Sequence, residues 1–209
     1  MNHHRLHPWK PTRLTAALLA GILWAVAAAC DPPVKNANPA GDAIVCFGDS
    51  LTYGTGAAEG QDYPSQLSRL LGRPVVNLGR PGDTTAGALK RLDAVLAHNP
   101  RMVLLTLGGN DLKNRIPRQT AFANLERIVH RIQDEGALVV IGGLTFPAYD
   151  RGFGRAYAQL AEETGAVLIP NVFDGIMGHP ALMSDPIHPN AAGYGIMARH
   201  FFEAVEPYL

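Results

Sequence analysis

Short, largely apolar runs alternate along the chain with longer stretches whose apolar residues recur every three or four positions. The runs at 43–47, 75–77, 102–106, 138–141 and 167–169 are too short for helices and rich in Val, Ile and Leu. Runs of that kind predict strands buried on both faces. The stretches at 64–71, 85–96, 120–134, 154–164 and 190–207 predict helices. In 120–134, Ala121, Leu125, Ile128, Val129 and Ile132 fall on one helical face, with Glu126, Arg127, Arg131 and Asp134 mostly elsewhere. Strand and helix alternating at these lengths require right-handed crossovers, and so predict an α/β sandwich of three layers around a parallel sheet of about five strands. There is no internal repeat, and the pattern predicts one domain over residues 42–209.

Ahead of that domain the pattern changes. Residues 1–13 carry Arg5, Lys10 and Arg13 and no acid, residues 14–29 carry no charge, and Ala27-Ala28-Ala29 precedes Cys30. A basic start, an apolar middle and small residues at the end predict a signal peptide over 1–29, so an exported protein. The apolar run is shorter than the roughly 20 residues of a transmembrane helix; an uncleaved anchor is the weaker alternative. Cys30 after three alanines resembles a bacterial lipoprotein box, although Ala27 stands where leucine is usual. Two outcomes stay open: a lipidated Cys30 tethering a periplasmic or membrane-anchored lipoprotein, or simple cleavage and release. Residues 31–41, rich in Pro, Asn, Ala and Gly, predict a flexible tether. Removing residues 1–29 leaves 15 basic against 18 acidic residues, a mildly acidic balance without a basic run. That argues against a nucleic-acid partner. The two cysteines, Cys30 and Cys46, cannot pair if the first is lipidated, and Cys46 reads as a small core residue.

Each predicted strand is followed by a polar or glycine-rich cluster, and a parallel sheet gathers such clusters at one edge. The clusters are Gly48-Asp49-Ser50 after the first strand, Asn77 to Thr84 after the second, and Gly108-Gly109-Asn110-Asp111 after the third. A fourth, Asp185-Pro186-Ile187-His188-Pro189, precedes the last helix. A serine hydroxyl is a weak nucleophile without a base, usually a histidine held in one tautomer by a carboxylate. Ser50, His188 and Asp185 supply those three groups. Backbone N–H groups of Ser50 and Gly82 and the Asn110 side-chain amide supply donors for the oxygen that turns negative during acyl transfer. Each has a plainer reading: Ser50 and Asn110 as helix caps, Gly82 as a turn glycine. Asp49 and Asp111 read as structural hydrogen-bonders. No group of His, Cys and carboxylates has metal-ligand spacing, so neither a metal nor a cofactor is expected.

Taken in order, the clusters Gly-Asp-Ser-Leu, Asn-x-Gly-x-x-Gly-Asp-Thr, Gly-Gly-Asn-Asp and Asp-x-x-His-Pro resemble the SGNH (GDSL-type) hydrolases over residues 43 to about 205. Within that family the stretches Ser-Leu-Thr-Tyr-Gly and Val-Val-Asn-Leu-Gly-Arg-Pro-Gly-Asp-Thr-Thr are most similar to the bacterial arylesterase, thioesterase and lysophospholipase branch. The resemblance implies a flavodoxin-like fold and a serine esterase acting on carboxylic esters or thioesters of short to medium acyl chains through an acyl-Ser50 intermediate; a monomer is expected. It implies Ser50, Gly82, Asn110 and His188 as the family's signature residues, with Asp185 supporting the histidine. It also places a substrate-shaping loop at Leu112 to Pro117. Leu112, Ile116, Leu144, Phe146, Pro147 and Ile187 are the candidate acyl-pocket residues, and a small ester or lipid the candidate substrate. Two alternatives remain: a carbohydrate O-deacetylase of the same family, and a lipoprotein binding module without catalysis, which would be expected to have lost one of the four clusters.

Overall fold

The five apolar runs become strands β1 (Ala43–Gly48), β2 (Val75–Gly79), β3 (Pro100–Thr106), β4 (Leu138–Gly142) and β5 (Val167–Ile169) of one sheet, ordered β2-β1-β3-β4-β5 and parallel throughout. The computed structural model describes residues 33–145 and 151–209, of which Val34–Leu209 form one compact unit. The predicted signal over 1–29 and Cys30 lie outside the described residues. Gly48 pairs in register with Gly79 on one side and Thr106 on the other, so β1, β2 and β3 end level. The chain leaves β1 for a strand on one side and later returns to its other side. That reversal makes the β1–β3 edge the switch point at which open α/β sheets bind ligands.

Eight α-helices occur among the described residues: α1 (Ser50–Tyr53), α2 (Tyr63–Leu71), α3 (Thr85–Lys90), α4 (Leu92–Leu96), α5 (Gly109–Lys113), α6 (Arg118–Asp134), α7 (Phe153–Thr164) and α8 (Ala191–Val205). Helix α2 packs against α8, and α6 packs against α3 and α7; these two groups flank the sheet. The predicted face of α6 (Ala121, Leu125, Ile128, Val129, Ile132) is buried in full. Val45, Leu104 and Val140 from the sheet are wholly buried beneath the helices. Each such side chain contributes roughly 1.5–3 kcal/mol on burial. Local signals set the ends: Asp62 caps α2 by accepting from the Ser65 N–H, and Gly72 closes it at φ 63°. Asn190 caps α8 in the same way, accepting from the N–H groups of Ala192 and Gly193.

Two expectations need correction. Residues 85–96 do not form one helix, because the chain breaks at Arg91 between α3 and α4 and sends that side chain under the sheet edge. Nor are residues 34–41 a free tether. The Asn36 side chain donates to the carbonyls of Gln133 and Ala137, the Lys35 N–H donates to Gly165 and the Ala40 N–H to Gly136. Val34 packs against the core, so the segment is fastened along its length by bonds that composition does not announce.

Candidate active site

Strand β1 runs hard against its neighbour before it releases the chain. A Cβ on Gly48 would collide with the Thr52 hydroxyl and the Thr106 carbonyl, so only glycine fits there. Asp49 then caps α1: its Oδ1 accepts from the Leu51 N–H at 3.0 Å. Ser50 is therefore the first residue of a four-residue helix that Gly54, at φ 95°, ends at once. A buried chain of hydroxyls, Thr52 to Tyr63 (3.0 Å) and Tyr63 to Thr106 (3.3 Å), ties that helix to α2 and β3.

The partner of Ser50 comes from the other end of the sequence. Ser50 Oγ lies 2.9 Å from His188 Nε2, and His188 Nδ1 lies 2.6 Å from Asp185 Oδ2. With the ring proton on Nδ1 donated to Asp185, Nε2 is left to accept the serine proton. The other Asp185 oxygen accepts the backbone N–H groups of Ile187 and His188, both at 2.8 Å. One carboxylate thus folds its own loop and orients the ring. Partial burial works against its charge, but the hydrogen bonds from the His188 ring and the two N–H groups outweigh that and hold the Asp185 carboxyl below its ordinary range. The loop is closed by the Met183–Pro189 bridge and the Ser184 N–H to His188 carbonyl bond (2.8 Å). Gly56, at φ 98°, lets the segment after α1 lie against it, since a Cβ there would collide with Pro189 and Ser184.

The expected oxyanion donors are grouped less simply. Gly82 stands at φ 78° with open space where a Cβ would be. Asn110 is the second residue of α5, whose N-cap is Gly108 at φ 115°, where a Cβ would strike the Tyr157 hydroxyl. Its amide Nδ2 donates to the Asp83 carbonyl at 2.9 Å and to Asp49 Oδ2 at 3.2 Å. Both amide hydrogens are engaged, and the longer bond is the one to Asp49. Burial pushes the Asp49 carboxyl up to about 7, opposed by the Leu51 N–H and His188. Asp111, fully buried, accepts from the Thr85 N–H (2.9 Å) and hydroxyl (2.7 Å) and so joins α5 to α3. Asp49 and Asp111 act as the structural hydrogen-bonders expected of them.

A cavity of about 400 Å³ opens beside Ser50, Asn110 and His188. Leu112, Leu144 and Ile187 line it, with Lys113 from the stretch expected to shape the site and with Leu51 and Phe173, which were not foreseen. Ile116 does not line it. The stretch expected as a loop is helix α5 followed by a tight turn, in which the Ile116 N–H closes back on the Asp111 carbonyl at 2.9 Å. Phe146 and Pro147 lie outside the described residues. No group of three metal-ligating side chains occurs among the described residues.

Sequence reasoning also missed Arg91, which reaches Asp83, Leu78 and Gly48 from behind the site. A signal existed: Arg91 shares a helical face with Ala88, Leu92 and Val95, a cation in an otherwise apolar stripe.

Residues 46–196 match the GDSL-like Lipase/Acylhydrolase family. The chain is 30% identical to esterase TesA of Pseudomonas aeruginosa, over 94% of this chain and 100% of that protein. It is 32% identical to thioesterase 1/protease 1/lysophospholipase L1 of Escherichia coli K12, over 80% of this chain and 85% of that one. Among solved structures, the crystal structure of TesA superposes with a TM-score of 0.76 at 29% identity, covering 80% of this chain and 100% of that one.

Proposed function

Because the chain belongs to the GDSL-like lipase/acylhydrolase family and is an SGNH esterase, we propose that Ser50, His188 and Asp185 carry its chemistry by acyl transfer. The observation that carries this reading is the unbroken chain of contacts from Ser50 Oγ to His188 (2.9 Å) to Asp185 (2.6 Å). Ser50 Oγ attacks the ester carbonyl as His188 Nε2 takes its proton. Asp185 holds the ring in the right tautomer and stabilises the imidazolium. His188 then returns the proton to the departing alcohol or thiol as the acyl–oxygen or acyl–sulfur bond breaks. Water, deprotonated by the same imidazole, releases the acid and restores Ser50.

The N–H groups of Ser50 and Gly82 and the Asn110 amide receive the oxyanion. Asn110 turns its more weakly held hydrogen from Asp49 to the developing charge, while its 2.9 Å bond to the Asp83 carbonyl keeps the amide in place. Leu112, Leu144, Ile187, Leu51 and Phe173 receive the acyl chain. A cavity of about 400 Å³ lies near the lower end of the roughly 300–1,000 Å³ of ligand pockets, which favours short to medium chains. Residues 1–29 direct export, and the intact mass of the mature protein decides between lipid on Cys30 and a plain cleaved terminus.

The test is hydrolysis of p-nitrophenyl esters of increasing chain length by the protein beginning at Asp31. Ser50→Ala is expected to fold normally and lose turnover by about 10⁴-fold or more, and the parent to favour short to medium acyl chains. Undiminished turnover in the variant removes Ser50 from the mechanism.

A further inference from the structure

Behind the cavity, one cation touches the segments that deliver three groups of the site. Arg91 sits at the break between α3 and α4. Its Nε donates to Asp83 Oδ2 at 2.6 Å, Nη1 to the Leu78 carbonyl at 2.8 Å and Nη2 to the Gly48 carbonyl at 2.9 Å. The guanidinium carbon lies 4.4 Å from the centre of the Phe47 ring, so the face of the group is also held. These four contacts come from the end of β1, the end of β2 and the loop that follows β2.

We propose that Arg91 is a positioning residue for the acyl-transfer site, fixing the relative placement of Ser50, Gly82 and Asn110. The proposal rests on the reading of Ser50 as nucleophile. Gly48 stands two residues before Ser50. Leu78 leads through Gly79, Arg80 and Pro81 to Gly82, and Asp83 directly follows it. The backbone carbonyl of the same Asp83 accepts the Asn110 amide at 2.9 Å. A planar guanidinium presents its donors in a fixed fork, so three acceptors bound at once are held at set distances from one another. An ammonium carries the same charge and lacks the fork.

The surroundings are built for this contact. Asp83 is buried, and a Cβ on Gly87 would collide with its carboxylate. The Gly48 carbonyl accepts a second bond, from the Arg80 N–H at 3.0 Å, which draws the β2 exit to the β1 exit. Arg91 does not line the cavity, so its effect is exerted through the segments it binds. A misplacement of about 1 Å at a reacting group costs on the order of 10²-fold in rate. Loss of the fork is therefore expected in kcat, with substrate binding spared because the apolar lining is untouched.

The experiment compares the parent, Ser50→Ala, Arg91→Lys and Arg91→Ala on one p-nitrophenyl ester, with folding checked by circular dichroism and thermal melting. Parent activity that is lost in Ser50→Ala upholds the site itself, so the Arg91 variants are judged separately. Arg91→Lys is expected to stay folded and lose about tenfold or more in kcat, and Arg91→Ala about 10²-fold, each with KM within about threefold of the parent. Added methylguanidinium is expected to restore part of the Arg91→Ala rate, and methylammonium none of it. A folded Arg91→Lys with parental kcat overturns the proposal, as does a loss that appears in KM alone. Should Arg91→Ala fail to fold, Arg91→Lys decides the matter alone.

Discussion

At residue 50 a hydroxyl meets an imidazole nitrogen at 2.9 Å across 138 positions of sequence. Both partners were legible because each carries its own local grammar. Ser50 follows a strand and a glycine, and His188 stands three residues after the carboxylate that orients it. Arg91 was not legible as part of the site, since its acceptors at Gly48 and Leu78 are brought to it only by the order of β1 and β2 in the sheet. Asp49 illustrates the cost of such a site. Its carboxylate is buried beside Ser50 and pushed up to about 7 from 3.8. A carboxyl raised in the folded state stabilises the fold fully below about pH 4, and that contribution fades as the pH rises through 7. Asp49→Asn is therefore expected to gain stability relative to the parent between pH 4 and 8, by up to about 4 kcal/mol. Denaturant unfolding at the two pH values measures the difference. A constant offset between variant and parent would show that Asp49 does not ionise at that cost.

Among the elements, strands were read well and turns badly. A strand declares itself by apolar composition, most clearly where both faces are buried, so 43–47, 102–106, 138–141 and 167–169 fell within two residues of the observed bounds. Helices α1 and α5, each under six residues, have too few turns for a periodic signal. Their absence from the sequence reading is also why Ile116 was assigned to the pocket. The junction between α1 and the His188 loop gives a test at this scale. Gly56 takes φ 98° and has no room for a Cβ between Pro189 and Ser184. Gly56→Ala is expected to cost about 1–3 kcal/mol of stability, as other strained left-handed positions do, and to lower kcat by displacing His188 from Ser50. Thermal melting and ester kinetics read the two effects. Retention of both parental Tm and kcat would mean that the two segments can part without consequence.

Across the whole molecule, the strand order places the exits of β1, β2 and β3 at one edge, and the closing loop before α8 brings the base to them. Alternation of strand and helix predicted that sheet. The order of the strands within it was not predicted, because hydropathy alone does not say which side of β1 receives β2. The N-terminal segment after residue 33 was misjudged for a related reason: Asn36 is anchored by carbonyls about 100 residues away, which no local pattern contains. The central claim is that Ser50 becomes covalently acylated. Rapid acid quenching during turnover of a p-nitrophenyl ester, followed by peptide mass analysis, tests it most directly. The account predicts one acyl group on the peptide containing Ser50 and none on that peptide in Ser50→Ala. An acyl group on another residue, or rapid turnover with no adduct under conditions where deacylation limits the rate, would contradict it.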